Sequence, residues 1–165
     1  MFTVSVGWYG RRFDVITCLF SSIGYLTTVE QLESACAAMA GHLTSRGVML
    51  VEPWVLPEDW HDPGRNIVNQ VEDGDRLLVR VIASHRDGVL SHLRIHYVVA
   101  DRGEVSTGDE HHVLRLFSKD EYLDAARAAG LSPEWIDGGL TTGRGLVAPS
   151  PTAAAPSAFH AVVEP

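Results

Sequence analysis

Residues 13 to 20 read Phe13-Asp14-Val15-Ile16-Thr17-Cys18-Leu19-Phe20, a nearly continuous apolar run rich in β-forming side chains. That is the pattern of a strand buried on both faces in a parallel sheet. The run stops at Ser21-Ser22-Ile23-Gly24. Next, in Thr27-Thr28-Val29-Glu30-Gln31, either threonine can cap a helix while Glu30 or Gln31 reaches back from three residues later. Apolar residues at Val29, Leu32, Ala35, Cys36, Met39 and Leu43 then trace one helix face, with Gly47 as its stop. Residues 48 to 54, Val48-Met49-Leu50-Val51-Glu52-Pro53-Trp54, form a second buried strand. Strand, helix and strand at these lengths make a βαβ crossover with a parallel pair and a right-handed connection.

Beyond a loop at 55 to 74 the texture changes. Arg76 to Ser84, a turn at Asp87-Gly88, Val89 to Ala100 and His111 to Phe117 alternate as an antiparallel meander spanning about 76–117. Ser118-Lys119-Asp120-Glu121 is a second capping box, opening a helix that carries Tyr122, Leu123, Ala126 and Ala129 on its apolar face and stops at Gly130. Strands near Trp135-Ile136 and Gly145-Leu146-Val147 close the sheet. Residues 1–147 thus read as one α/β domain. From Ala148 the composition turns to Pro, Ala and Ser, which offers too little large apolar surface to offset ordering entropy, so 148–165 reads as a disordered tail.

The chain has 165 residues, 45% of them apolar and 21% charged, an ordinary globular composition for one domain. No run approaches the roughly 20 apolar residues that span a bilayer, and the first residues lack a basic region followed by an apolar stretch and a small-residue cleavage site. The expectation is a soluble, cytoplasmic protein without a membrane partner. A formal net charge of -8 should repel phosphate backbones, which argues against a nucleic-acid partner. Cys18 and Cys36 lie in apolar surroundings without a C-x-x-C pair, as buried thiols in a reducing compartment do.

Glu52-Pro53-Trp54 and Ser21 to Tyr25 follow the carboxyl ends of the two parallel strands, where open α/β sheets bind ligands. Ser21 and Ser22 offer hydroxyls and loop amides, and Tyr25 offers a phenol. Glu52 can orient a cation or hydroxyl, or be satisfied by a neighbouring helix N-terminus. Trp54 is either core or a flat wall of the site. Eight histidines raise a metal site, but His92 and His96 lie about 13 Å apart along a strand, too far to share one ion. Hydrogen-bonded sheet histidines are the simpler reading, one of which can line a cleft. Arg144, between Gly143 and Gly145, can take a phosphate as a fork of donors or stand as an exposed loop arginine. No G-x-S-x-G elbow, Walker loop or H-E-x-x-H is present.

Arg12 to Tyr25 with its Phe20-Ser21-Ser22-Ile23-Gly24 segment, and Gly47 to Trp54 with Val51-Glu52-Pro53-Trp54, together resemble the second half of class I S-adenosylmethionine-dependent methyltransferases. They are similar to the bacterial N,N-dimethyltransferases that finish aminodeoxysugars on nucleotide diphosphate carriers. Arg94 to Asp101, Leu116-Phe117-Ser118, Tyr122, Ala128-Ala129-Gly130 and Gly143 to Val147 add looser matches, so the resemblance runs from about Arg12 to Val147. It implies the C-terminal portion of a Rossmann-like sheet with an added antiparallel β-meander, and S-adenosylmethionine as cofactor. The implied reaction is N-methylation of a nucleotide-diphosphate amino sugar in antibiotic or other secondary-metabolite biosynthesis, with no metal. By the same resemblance Phe20, Ser21 and Ser22 lie beside the cofactor. Glu52, Trp54 and Arg144 serve the substrate, with Arg144 on its phosphates. Tyr25 and His96 are the catalytic candidates, Tyr25 standing where the family commonly has His.

The family's opening strand, G-x-G-x-G turn and ribose-binding acid have no counterpart in these residues; Gly7-Trp8-Tyr9-Gly10 has the wrong spacing. In the family the strand at 13–20 pairs with that first strand. The expectation is therefore an unpaired apolar edge that drives homo-oligomerisation or needs a separate polypeptide. A truncated, non-catalytic methyltransferase remnant is the alternative, and a small-molecule binding module on the His92, His96 and Tyr97 meander face is a third.

Overall fold

A computed structural model describes residues 10–136 and the backbone of 158–163. Strand β1 (Phe13–Cys18) runs parallel to β2 (Leu43–Val51), with helix α1 (Val29–Gly41) as the crossover between them. Thr28 caps α1 by accepting the Gln31 N–H at 3.2 Å, while Gln31 Oε1 accepts the Thr28 N–H at 3.2 Å. Ser118 and Glu121 repeat the device at α2 (Lys119–Ala128). Each cap fills backbone donors that the first helical turn leaves open, worth about 1 kcal/mol. The two helices pack together, and α2 packs on β7 (Leu131–Ile136). Leu32, Cys36, Met49, Val51, Phe117 and Tyr122 fill the core of this body.

The body's sheet has the order β1-β2-β8-β7, in which β8 (Ala158–Val163) inserts antiparallel to both neighbours. Ala158–Val163, inside the tail expected over 148–165, thus form a strand, and the rest of that stretch lies outside the described residues. Ala158 to Val163 lie beyond the Pro and Ser residues, and Phe159, Val162 and Val163 suit a strand. Gly145-Leu146-Val147, expected to close the sheet, lies outside the described residues.

A second correction concerns the first helix, which ends at Gly41 instead of Gly47. The His42 ring bonds the Ala38 carbonyl at 2.7 Å, and Leu43, 1% exposed, already belongs to β2. Gly47 sits inside that strand, where the pairing shifts between Phe13 and Val15. A Cβ there would meet the Phe13 carbonyl and the Leu43 side chain at 3.0 Å, so close backbone approach explains the glycine. β1 is also less buried than expected. Val15 is 61% exposed, because β1 stands at the edge of the sheet with no strand on its other side among the described residues.

The meander has four strands, β3 (Asn66–Asp73), β4 (Arg76–Asp87), β5 (Leu90–Asp101) and β6 (Glu104–Arg115), paired in chain order. β3 occupies part of the expected loop at 55–74. All eight of its residues are exposed, so it carries no alternating buried face for sequence reading to detect. At about 40 Å for a 12-residue strand, the long strands extend well past the body. Their buried residues are few: Ser91 and Leu114 toward one end of the ladder, and Ile82 and Ile95 paired at its middle.

Candidate functional site at the carboxyl ends of the parallel strands

Beyond β1 the backbone turns through Phe20 (φ 54) and Ser21 (φ 58), two consecutive left-handed residues neither of which is glycine. Each costs on the order of 1–3 kcal/mol unless its surroundings enforce it. Here they do. Glu52, 3% exposed at the end of β2, accepts the Phe20 N–H at 2.5 Å through Oε2. Ser21 Oγ donates to the Pro53 carbonyl at 2.9 Å, and Ser22 Oγ donates to the Leu19 carbonyl. A single 3-10 turn, Ser22–Tyr25, follows. The Phe20 side chain is left 70% exposed at the sheet's carboxyl edge.

The Glu52 carboxylate is buried and accepts a loop amide from the turn after β1. The nearby Cys18 thiol is pushed up from its ordinary pKa by burial, with a smaller contribution from the Glu52 charge. Both segments proposed from sequence do meet at one edge, Glu52 N–H donating to the Cys18 carbonyl at 2.8 Å.

Trp54 joins the body to the meander. Its indole N–H donates to Ser91 Oγ at 2.9 Å, and Ser91, fully buried, donates in turn to the Leu114 carbonyl at 3.0 Å. A Cβ on Gly24 would sit 2.7 Å from the Trp54 Cβ, so this turn closes only with glycine. The Ser-Ile-Gly-Tyr segment is thereby explained by packing: glycine admits Trp54, and the next residue is aimed at the meander.

That next residue is Tyr25. Its hydroxyl lies 2.6 Å from His112 Nδ1 on β6, with the rings 5.8 Å apart. His112 Nε2 lies 2.9 Å from Glu110 Oε2, which also accepts from the Tyr97 hydroxyl at 3.1 Å. Since Glu110 is a pure acceptor as a carboxylate, the imidazole carries its proton on Nε2 and turns the Nδ1 lone pair toward the phenol. Burial raises the Tyr25 pKa, assisted by the negative charge of Glu110. The hydrogen bonds from His112 and Tyr97 lower that of Glu110.

His96 is not brought to Tyr25. Side chains alternate along β5, so Tyr97 shares a face with Glu110 and His112, while His96 points to the other face and bonds Asp109 at 2.8 Å. His96 and Asp109 line a concavity of about 480 Å³ there, with Val81, Ala83, Arg94 and His111. The structure does not bring together Tyr25 and His96, the two catalytic candidates read from the sequence; Tyr25 meets His112 instead. In the sequence His112 stands only as part of the strand read from His111 to Phe117. The signal that identifies it is the alternation Glu110, His112, Leu114 on one face of β6. Among the described residues no three His, Cys, Asp or Glu side chains are grouped to hold a metal ion. Arg144 lies outside the described residues.

No protein-family model matches the chain. Curated relatives do. Over 139 residues, 83% of this chain, it is 42% identical to the dTDP-3-amino-3,6-dideoxy-alpha-D-glucopyranose N,N-dimethyltransferase of Streptomyces fradiae. It is 41% identical over 138 residues to the dTDP-3-amino-3,4,6-trideoxy-alpha-D-glucopyranose N,N-dimethyltransferase of Streptomyces venezuelae. The crystal structure of DesVI from Streptomyces venezuelae superposes with a TM-score of 0.82 at 34% identity, covering 96% of this chain and 61% of that one. The fold is thus that of part of a class I S-adenosylmethionine-dependent methyltransferase. Within that class the chain is similar to the aminodeoxysugar N,N-dimethyltransferases, and it spans about half the length of the curated relatives it matches, 53% and 57%.

Proposed function

We propose that this chain forms the acceptor-side portion of an S-adenosylmethionine-dependent N-methyltransferase acting on a nucleotide-linked amino sugar in secondary metabolism. The observation that carries the proposal is the 42% identity to a dTDP-aminosugar N,N-dimethyltransferase across 83% of the chain. S-adenosylmethionine supplies, when bound, a sulfonium methyl carbon that a neutral amine can attack in line. The residues present suit one wall of such a site. A left-handed loop held by a buried carboxylate presents Phe20, Ser21 and Ser22 at the sheet edge, which suits an apolar cofactor surface and loop hydroxyls. Tyr25 offers the amine a hydrogen bond beside that wall, Trp54 fixes the turn, and Glu52 acts as a positioning residue instead of a substrate ligand. Alignment of amine and methyl, with water excluded, accounts for most of the rate such a reaction requires. Arg144 is proposed for the carrier's phosphates. A cytoplasmic setting belongs to the same proposal, supported by free cysteines; no helix of the described residues is long and apolar enough to cross a membrane.

The open edge of β1 favours a companion strand. These 165 residues contain no G-x-G-x-G turn, so the glycine-rich wall of the cofactor site lies outside them, on a segment paired at that edge. A second reading rests on the same edge: a non-catalytic remnant that self-associates through 13–20. Methyl transfer to dTDP-linked amino sugars separates the two readings. Mass spectrometry should detect methylated product when the chain is mixed with the glycine-rich first half of the Streptomyces fradiae relative. A folded mixture that methylates no dTDP-amino sugar would leave the remnant.

A further inference from the structure

Methylation of an amine has a proton to dispose of, and the described structure holds a path for one. We propose that His112, oriented by Glu110, receives through the Tyr25 hydroxyl the proton that the substrate amine loses. The inference rests on the methyltransferase reading above and assigns to it an acceptor that the sequence did not single out.

The geometry has three links. Tyr25 O and His112 Nδ1 are 2.6 Å apart, His112 Nε2 and Glu110 Oε2 are 2.9 Å apart, and the Tyr97 hydroxyl holds the same Oε2 at 3.1 Å. Two donors on one carboxylate oxygen fix the imidazole's rotation and tautomer together. The Nδ1 lone pair then points at the phenol, the arrangement a relay needs before any proton has moved. A phenol with a raised pKa is a poor base alone, but it passes a proton readily when it gives up its own in the same step.

The step balances as follows. The amine lone pair forms the N–CH3 bond as the C–S bond breaks, and that electron pair stays on sulfur. The resulting ammonium gives an N–H proton to Tyr25 O while the Tyr25 proton moves to His112 Nδ1. His112 becomes an imidazolium ion-paired with Glu110, releases its Nε2 proton through that carboxylate to water, and regains the Nε2-protonated form by proton exchange with water, the Nδ1 proton leaving, before the next turnover. Exposure falls in the right order for release: the His112 side chain is 20% accessible and that of Glu110 is 52% accessible. The charged and titratable groups facing the relay are Tyr25 from the 3-10 turn, Glu110 from β6, Tyr97 from β5 and Arg80 from β4. Arg80 pairs with Tyr97 across the sheet and favours the ionised form of Glu110. Arg115, at the end of β6, is held by Glu121 at 2.9 Å and by the Thr27 carbonyl at 3.2 Å.

Two measurements test this. In the isolated chain, long-range proton–nitrogen NMR should find His112 protonated on Nε2 alone, with the Nδ1 signal moving in Tyr25→Phe; an Nδ1-protonated ring would overturn the relay. In the methyl-transferring mixture, His112→Gln should lower kcat about 100-fold with KM within about twofold. Glu110→Gln, a substitution at an exposed position that leaves folding intact, should lower kcat about tenfold. Wild-type transfer with His112→Gln and Glu110→Gln both unaffected overturns the relay alone. No transfer by the wild-type mixture overturns the methyltransferase reading and the relay with it, whatever the NMR shows.

Discussion

The body and the meander are built from similar residues and hold together in different ways. In the body, Phe117 and Tyr122 are fully buried with their rings edge to face at 5.4 Å, against helices and strands that cover one another. In the meander, Val68, Val71, Val81 and Val105 are each more than 40% exposed, and the strands rely on their ladders. The body supplies folding energy, and the meander supplies reach and a face on which to mount side chains. The candidate site lies where the two meet, at Gly24, Tyr25, Trp54, Ser91 and His112.

The contrast should be largest in core truncations. Phe117→Ala removes a fully buried ring and should cost about 3–5 kcal/mol in chemical denaturation, while Val105→Ala should stay within about 0.5 kcal/mol. Equal losses would mean that the meander packs as a core of its own. Glu52→Ala leaves the strained turn without its acceptor and should cost about 1.5–3 kcal/mol, with faster proteolysis near Phe20. Ser91→Ala strands the Trp54 indole N–H in the joint between the regions, and about 1–2 kcal/mol is expected by the same measurement. A smaller effect there would locate the joint elsewhere.

Val15→Lys places a charge on the open edge of β1 and should reduce any self-association seen by sedimentation without lowering the melting temperature by more than a few degrees. Unchanged association would exonerate that edge. The smallest effect is electrostatic. His92 stacks between His85, at 4.8 Å, and His111, at 5.4 Å. Burial first, and then those two rings, lower its pKa. A lowered value means the unfolded chain binds the proton more readily. Stability should therefore fall as pH drops from the ordinary histidine value of about 6.5 through the lowered one. His92→Gln should flatten that slope in melting curves taken across the window.

Much of the body was legible because its signals are local. The run from Phe13, the Thr28–Gln31 and Ser118–Glu121 boxes and the glycine after α2 each act within a few residues, and each element formed, with β1 less buried and α1 shorter than expected. The limits appeared where partners are distant. Leu43 reads as a helix face until its pairing with Phe13 is known, and β3 shows no buried face because it has none. β8 hides behind a Pro-rich segment, its place set by β2 and β7. The site divides in the same way. That Phe20 to Tyr25 meets Glu52-Pro53-Trp54 follows from two parallel strand ends. That Tyr25 meets His112, 87 positions away, depends on the register of the meander, and the choice between His96 and His112 turned on which face each strand shows.

The central claim is that residues 20 to 25 form one wall of a cofactor site completed by a strand and glycine-rich turn at the edge of β1. Calorimetric titration with S-adenosylhomocysteine tests it most directly. Saturable binding should appear when the chain is mixed with the first half of the Streptomyces fradiae relative, and should be absent with either part alone. Saturable binding to the chain alone would contradict the shared wall, and no binding to a folded mixture would contradict the site itself.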